Sequence, residues 1–322
     1  MRGYVVRRLL ELVPVLLGVT LVTFLLMYAA GGDAVTAKLE NQGAVVTQDL
    51  IDAERHELGL DRPVLVQYGD WLAGFLAFDM GESYVSGESV AATFASKLPA
   101  TLVLMLASIA VTVLVSTPLG VLAAVKRNRA VDYLIRVLCF VGNSLPNFFL
   151  ALLLVYVFAV VLGWLPAISS ASGEEGLAGV TPRGAVLPVA TLSIAMTAKY
   201  TRQIRAAVLD ELSKPYVEGA LARGVDGRRV LLRNVLKCCA SVVVTLLALS
   251  VGDLLGGAAV VETIFEWDGV GKLAVDSIAM RDYPMIQAYV AWMAVIYVVV
   301  NLVADLVCHR IDPRLRLTEA SS

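Results

Sequence analysis

The chain has 322 residues, 58% of them hydrophobic and only 17% charged, with a mean hydropathy of +0.76 and a formal net charge of -2. Soluble domains carry roughly 45–50% apolar and about 25% charged residues. The composition therefore excludes a disordered chain, a small disulfide scaffold and a typical soluble enzyme, and it directs attention to membrane spans.

A helix needs roughly 20 apolar residues to cross a bilayer. The first such stretch is Leu12–Gly32, 21 residues without a charge. It follows Arg2, Arg7 and Arg8, as a signal peptide would, but it is too long for the apolar region of one. It is read as span one. Residues 33–97 are polar and predict two helices. One runs from Thr47 to Leu58, closed by Gly59, and the other from Tyr68 to Phe78 with Trp71, Leu72, Phe75 and Leu76 on one face.

Span two falls in Leu98–Val125, 28 uncharged residues. The next stretch, Val137–Gly173, has 37 residues, too long for one straight span and short for two with a turn. Pro146 lies inside it and predicts a kink. It is counted as one span, because splitting it would reverse the side on which the Lys199–Lys237 basic cluster lies. Gly184–Ala198 continues into Lys199, Arg202 and Arg205. Cys238–Val261 is interrupted only by Asp253, and Tyr283–Ala304 is the last of six.

With six spans and both ends inside, 19 of the 26 basic residues are cytoplasmic, and 18 of the 28 acidic residues are outside. That asymmetry matches the positive-inside rule. The four cysteines, Cys139, Cys238, Cys239 and Cys308, fall in spans or on the cytoplasmic side, so no disulfide is expected. Cys238–Cys239 reads as a helical pair at a membrane boundary before it reads as a metal or redox site. His56 reads as a surface residue and His309 as an interface residue.

The cytoplasmic loop 199–237 carries two short helices. Ser213–Lys214–Pro215 opens the first with proline in its first turn, and Gly224 closes it. Val225–Arg233 opens the second. A short helix between breaks can serve as a docking knob, or the loop can lie against anionic lipid. The sequence shows no phosphate-binding glycine loop, zinc pattern or nucleophile elbow, so no catalytic residue or metal ligand is assigned. No nucleic-acid partner is expected.

Glu218–Gly219–Ala220–Leu221–Ala222–Arg223–Gly224 resembles the EAA motif of ABC importer permeases. The chain as a whole is similar to the dipeptide/oligopeptide/nickel permease family. Leu58–Gly59–Leu60–Asp61–Arg62–Pro63, Gly163–Trp164–Leu165–Pro166, Val261–Glu262–Thr263–Ile264–Phe265 and Asp312–Pro313–Arg314 are among the matching segments. Two departures are Gly219 in place of Ala and Ser241 in place of a family Pro. The Gly lowers helix propensity by up to about 1 kcal/mol. The Ser leaves coupling and the geometry of the following span open.

The resemblance implies an all-α polytopic membrane protein with six spans and the type I ABC importer permease (MetI-like) fold. Residues 1–32 would be the tail and first span, 33–97 an extracytoplasmic helical segment, 98–310 a five-helix core with the coupling loop 199–237, and 311–322 a cytoplasmic tail. It implies a second homologous permease, two ATP-binding subunits that hydrolyse ATP, an extracytoplasmic substrate-binding protein and surrounding lipid. No cofactor would be bound by this chain. The location would be the plasma membrane with both termini cytoplasmic. Glu218, Gly219, Ala220, Ala222, Arg223 and Gly224 would couple to the ATPase.

Asp253 is the sharpest local clue to a substrate. A carboxylate within a span costs about 2.5–3.5 kcal/mol to insert and points to function, although a hydrogen bond between helices would also account for it. Gly252, Gly256 and Gly257 beside it suggest close helix contact. The resemblance here is to nickel-type permeases, as it is for Ser144–Leu145–Pro146–Asn147–Phe148–Phe149. Asp253, Asn143, Ser144 and Asn147 are therefore the expected pathway residues. Nickel or a small metal chelate is the first expectation for the cargo, and a di- or oligopeptide the second. A stand-alone carrier or channel would need inverted repeats, and no clear repeat is visible.

Overall fold

The computed structural model describes residues 2–29, 34–41, 47–169 and 181–311. Thirteen α-helices occur among them, with no strand beyond an isolated bridge between Glu82 and Ser89. In chain order they begin with α1 (Arg2–Ala29), α2 (Ala34–Asn41), α3 (Gln48–Glu57), α4 (Val64–Leu76) and α5 (Val90–Val125). Next come α6 (Ala130–Ser144), α7 (Asn147–Leu154), α8 (Pro182–Leu212), α9 (Pro215–Ala222) and α10 (Gly227–Val230). The last are α11 (Leu236–Ile264), α12 (Val270–Met280) and α13 (Tyr283–Ile311). π-Helical turns extend α7 over Val155–Val161 and link α10 to α11 over Leu231–Val235.

Among the described residues, three helical stretches are long and apolar enough to cross a membrane: Leu10–Ala29, Val90–Val125 and Tyr283–Val307. The α6–α7 pair supplies a fourth if the two bent pieces count as one span. Six spans were expected, and by length and apolarity together the described residues give three or four; α8 and α11, at 31 and 29 residues, match a span in length.

The largest local difference from the sequence expectation lies in the third stretch. A proline kink was expected at Pro146. Instead the chain turns by 103° between α6 and the segment Asn147–Val161. Pro146 has no N–H to continue the helix, and its ring drives the preceding residue out of the helical region. Leu145 accordingly sits at φ -85°, ψ 128°. α7 restarts with Leu150 N–H donating to the Pro146 carbonyl, 3.0 Å.

The helices divide into two compact units, each with its own core. The first comprises residues 1–101 and 268–298, the second 102–267 and 299–322. In the first unit, Phe75, Met80, Val90, Met285, Ala288 and Ala291 form a buried cluster. Ring contacts run from Phe24 to Tyr68, Trp71, Phe75 and Trp292, with centroids 5.5–6.2 Å apart. The inward face of α4 thus carries Phe75, which is buried, with Tyr68 and Trp71 half-buried beside it. Leu76, expected on that face, is 68% exposed. α3 starts one residue after Thr47 and is followed by Gly59 at φ +67°, as the sequence predicts. α4 starts four residues earlier than predicted, at Val64.

The turn before α5 is held from a distance. Ser83 Oγ donates to the buried Asp282 carboxylate, and Tyr84 N–H donates to the same group at 3.1 Å. Burial pushes the Tyr84 phenol up to about 12, with the Asp282 and Glu54 charges adding to the shift.

In the second unit, α8 is the centre, packed on α6, α7 and α11. Ala123, Ile135, Cys139 and Ala198 make its buried cluster. α8 opens on Thr181, whose hydroxyl accepts from Gly184 N–H at 3.0 Å, with Pro182 in the first turn. α5 approaches α8 closely at Gly120, where a Cβ would lie 2.8 Å from Ile204 Cγ2 and 3.0 Å from the Thr201 carbonyl. Small residues at helix interfaces are the usual means of close packing in membranes.

Candidate functional site

The chain between α8 and α11 folds into a compact knob. α8 ends at Leu212, and Pro215 starts α9 at a position where a missing N–H costs nothing. The first turn of α9 is tied back to the last turn of α8. Tyr216 Oη donates to Glu211 Oε1 at 2.9 Å, and Lys214 Nζ donates to Glu211 Oε2 at 2.5 Å. Glu211 itself is buried.

α9 ends in a Schellman motif. Val225 N–H donates to the Ala220 carbonyl at 3.1 Å, and Gly224 N–H donates to the Leu221 carbonyl at 2.9 Å. Gly224 has φ +80°, a conformation that glycine adopts without a Cβ clash. Asp226 then caps α10, accepting from Arg228 and Arg229 N–H at 3.1 and 3.3 Å.

The knob has two faces. Val217 and Ala220 are buried, Gly219 is half-buried, and Glu218, Ala222, Arg223 and Gly224 are exposed. Leu221 is 49% exposed, with Tyr216 and Leu232 also exposed. A helix showing an acid, a base and bare leucine to its surroundings can seat in a groove of matching chemistry. At Gly219 a Cβ would meet only the flexible end of Arg223, 3.4 Å away, so the departure from Ala is not a packing requirement.

A second constellation lies at the α6–α7 break. Asn143 and Ser144 are exposed, and Ser144 Oγ donates back to the Phe140 carbonyl at 2.8 Å. Asn147 is half-buried and reaches α11, where a Cβ on Gly257 would come within 3.1 Å of its Nδ2. Asp253 lies on α11 one helical turn before Gly257, but its side chain is outside the described residues, as are those of Ser241, Cys238, Cys308 and His309. Residues 312–314 also fall outside them. The structure therefore brings Asn147 to the helix that carries Asp253, while Asn143 and Ser144 stand on the open side of the break.

A buried ion pair was not anticipated. Arg205 on α8 donates from Nε to Asp132 Oδ1 and from Nη2 to Asp132 Oδ2, both 2.8 Å. Asp132 is 0% exposed and also accepts from Asn128 N–H at 2.9 Å. The partners are separated by 73 residues, so no local spacing could have shown them. The Glu211–Lys214 contact, by contrast, is an i,i+3 pair legible in the sequence.

Residues 116–317 match the family model described as "Binding-protein-dependent transport system inner membrane component", and residues 1–105 match the model of that component's N-terminal part. The chain is 37% identical over 318 residues to the oligopeptide transport system permease protein of Bacillus subtilis (strain 168), covering 98% of this chain and 99% of that one. It is 38% identical over 316 residues to the glutathione transport system permease protein of Escherichia coli (strain K12), with the same coverage. Its fold is similar to a chain of the MetNI methionine ABC transporter in inward-facing form, at 16% identity and a TM-score of 0.54, covering 66% of this chain and 93% of that one. The chain is all-α with the type I importer permease fold, is not an enzyme, and belongs to the binding-protein-dependent transport system inner membrane components, the permeases of ABC importers.

Proposed function

We propose that this permease imports peptides, in the size range from a di- or tripeptide to an oligopeptide. The supporting observation is end-to-end similarity, at 37–38% identity, to permeases named for oligopeptide and glutathione transport. Nickel stood first in the sequence expectation, on Asp253 and the Ser144–Phe149 segment. These relatives favour the peptide alternative, and a carboxylate on the pathway suits it equally, since it would attract the amino terminus of a peptide.

The family implies an ATPase and a substrate-binding protein as partners. In our reading two ATP-binding subunits and a second homologous permease complete the transporter, and ATP is hydrolysed by the partner subunits. The exposed face of α9, with Glu218, Leu221, Ala222, Arg223 and Gly224, docks on an ATPase subunit. Its solvent-side charge and apolar Leu221 support that role. Asn143, Ser144, Asn147 and Asp253 contact the passing substrate. Both termini and the knob lie on the cytoplasmic side, which suits the excess of basic residues there, and residues 33–97 lie outside. Alternating access follows: ATP closes the ATPase pair, the docking helices move, and hydrolysis resets them.

Uptake of a labelled dipeptide, of labelled glutathione and of radioactive nickel, compared in a deletion strain and its complemented parent, tests the substrate. Loss of peptide uptake with nickel uptake unchanged is the expected result. Loss of nickel uptake alone would overturn it. Asp253→Asn is expected to lower uptake with assembly intact.

A further inference from the structure

We propose that Asp132 and Arg205 are positioning residues, forming the joint through which movement of the docking helix α9 reaches the break between α6 and α7. This rests on the docking reading of α9 given above. Three attachments make a continuous line within the second unit. The first is between α9 and α8, where Tyr216 and Lys214 both bind the buried Glu211 carboxylate. The second is α8 itself, which runs unbroken from Arg205 to Glu211, six residues and about 9 Å of helix. The third is the fork of Arg205 on Asp132, in the first turn of α6.

The chemistry of the third attachment suits it to carry force. A bidentate guanidinium–carboxylate pair has a fixed plane and a fixed direction, whereas apolar contacts can slide. The pair is sheltered, with side-chain exposures of 0% for Asp132 and 18% for Arg205. Asp132 also receives Asn128 N–H, and Arg136 Nε stands 3.9 Å away, so one carboxylate fixes the α5–α6 turn, α6 and α8 together. Asn128 holds φ +61° to make that contact. Beneath the pair, Ile135 and Cys139 of α6 are seated against Ala198 of α8.

The far end of α6 is carried by α8. From Asp132 to Ser144 it is a rigid rod of about 18 Å. It then stops at Leu145–Pro146, where no helical hydrogen bond carries over and the chain turns by 103°. Val137, Leu138, Phe140 and Val141 on this rod are 50–69% exposed, while at Gly142 a Cβ would lie 3.5 Å from Ala198 Cβ and 3.6 Å from Ile194 Cγ2, so the rod follows α8. A rotation of α8 imposed through α9 would move Asn143 and Ser144 relative to Asn147, which is held on α11.

The test uses the complete transporter in liposomes with its binding protein, and reads peptide uptake, ATP hydrolysis with and without loaded binding protein, and retention of the ATPase subunits in pull-down. Asp132→Asn and Arg205→Lys are expected to retain the ATPase and basal hydrolysis, to lose peptide uptake about tenfold or more, and to lose stimulation of hydrolysis by loaded binding protein. If those variants assemble poorly, Asp132→Glu keeps the charge and lengthens the arm by one methylene. Reduced uptake at normal assembly is expected for it as well. Wild-type uptake per assembled transporter in these variants would overturn the proposal. So would uptake and basal hydrolysis falling in equal proportion, which is the signature of a merely structural pair. The docking reading fails separately, if Glu218→Ala with Leu221→Asp leaves ATPase retention and uptake unchanged.

Discussion

Asn147 on α7 rests against Gly257 on α11: a Cβ at Gly257 would lie 3.1 Å from Asn147 Nδ2 and 3.8 Å from Leu192 Cδ2. The neighbouring Gly256 has open space where its Cβ would stand. Two adjacent glycines therefore predict different outcomes. Gly257→Val is expected to separate α7 from α11 at a cost of about 1–3 kcal/mol and to reduce uptake. Gly256→Ala should leave uptake unchanged and, as a helix-interior Gly→Ala change with room for the methyl, should not lower stability and can raise it by up to about 1 kcal/mol. Thermal unfolding in detergent and vesicle uptake, measured side by side, check this pair.

The two glycines of the docking helix also predict opposite results. Gly219→Ala adds a methyl next to a movable Arg223 side chain and should stabilise α9 by up to about 1 kcal/mol. Gly224→Ala forces a Cβ into the left-handed conformation at φ +80°, at a cost of about 1–2 kcal/mol. Amide hydrogen exchange over residues 215–225 should slow in the first variant and quicken in the second. The second should also lower ATPase retention.

Asp282 supplies both acceptors for Ser83 and Tyr84. Asp282→Ala leaves a buried hydroxyl and a backbone N–H without that partner. Each orphaned donor costs about 1–3 kcal/mol. The expected outcome is faster protease cleavage within residues 81–89, with the α9 knob unaffected. Equal cleavage in wild type and variant would count against the long-range staple.

Tyr84 should titrate late. Its phenol is held up to about 12 against an ordinary 10.0, chiefly by burial and next by the Asp282 charge. The folded protein therefore binds this proton more tightly than the unfolded chain does. The stability it contributes is complete below about pH 10 and is lost as pH rises through about 12. The ultraviolet difference between wild type and Tyr84→Phe should show no phenolate signal from this residue at pH 10.5. A phenolate signal at that pH would refute it.

Much of the fold is legible in residue order. The helices around Leu12–Gly32, Leu98–Val125 and Tyr283–Ala304 follow from uninterrupted apolar runs, because a bilayer leaves a backbone few alternatives to internal hydrogen bonding. The limits of α9 are also local. Pro215 permits a start, Gly224 supplies the left-handed stop, and both effects are properties of single residues. Pro146 marked the right place in the third stretch, but a proline determines only that hydrogen bonding is interrupted there. Whether the chain bends slightly or turns by 103° depends on what the two pieces find to pack on: α6 finds α8, and α7 finds α8 and α11.

The sequence by itself determined that this is a polytopic helical membrane protein with a basic loop built to present a short helix, because hydropathy, charge placement and turn residues act over a few neighbours. Tertiary structure alone decided the pairings that join distant segments: Arg205 with Asp132, Asn147 with Gly257, Ser83 with Asp282. Each brings together groups tens to hundreds of residues apart, and what stabilises each is a hydrogen bond, ion pair or close contact that offsets the cost of taking those groups out of solvent at one shared point, which no local pattern encodes.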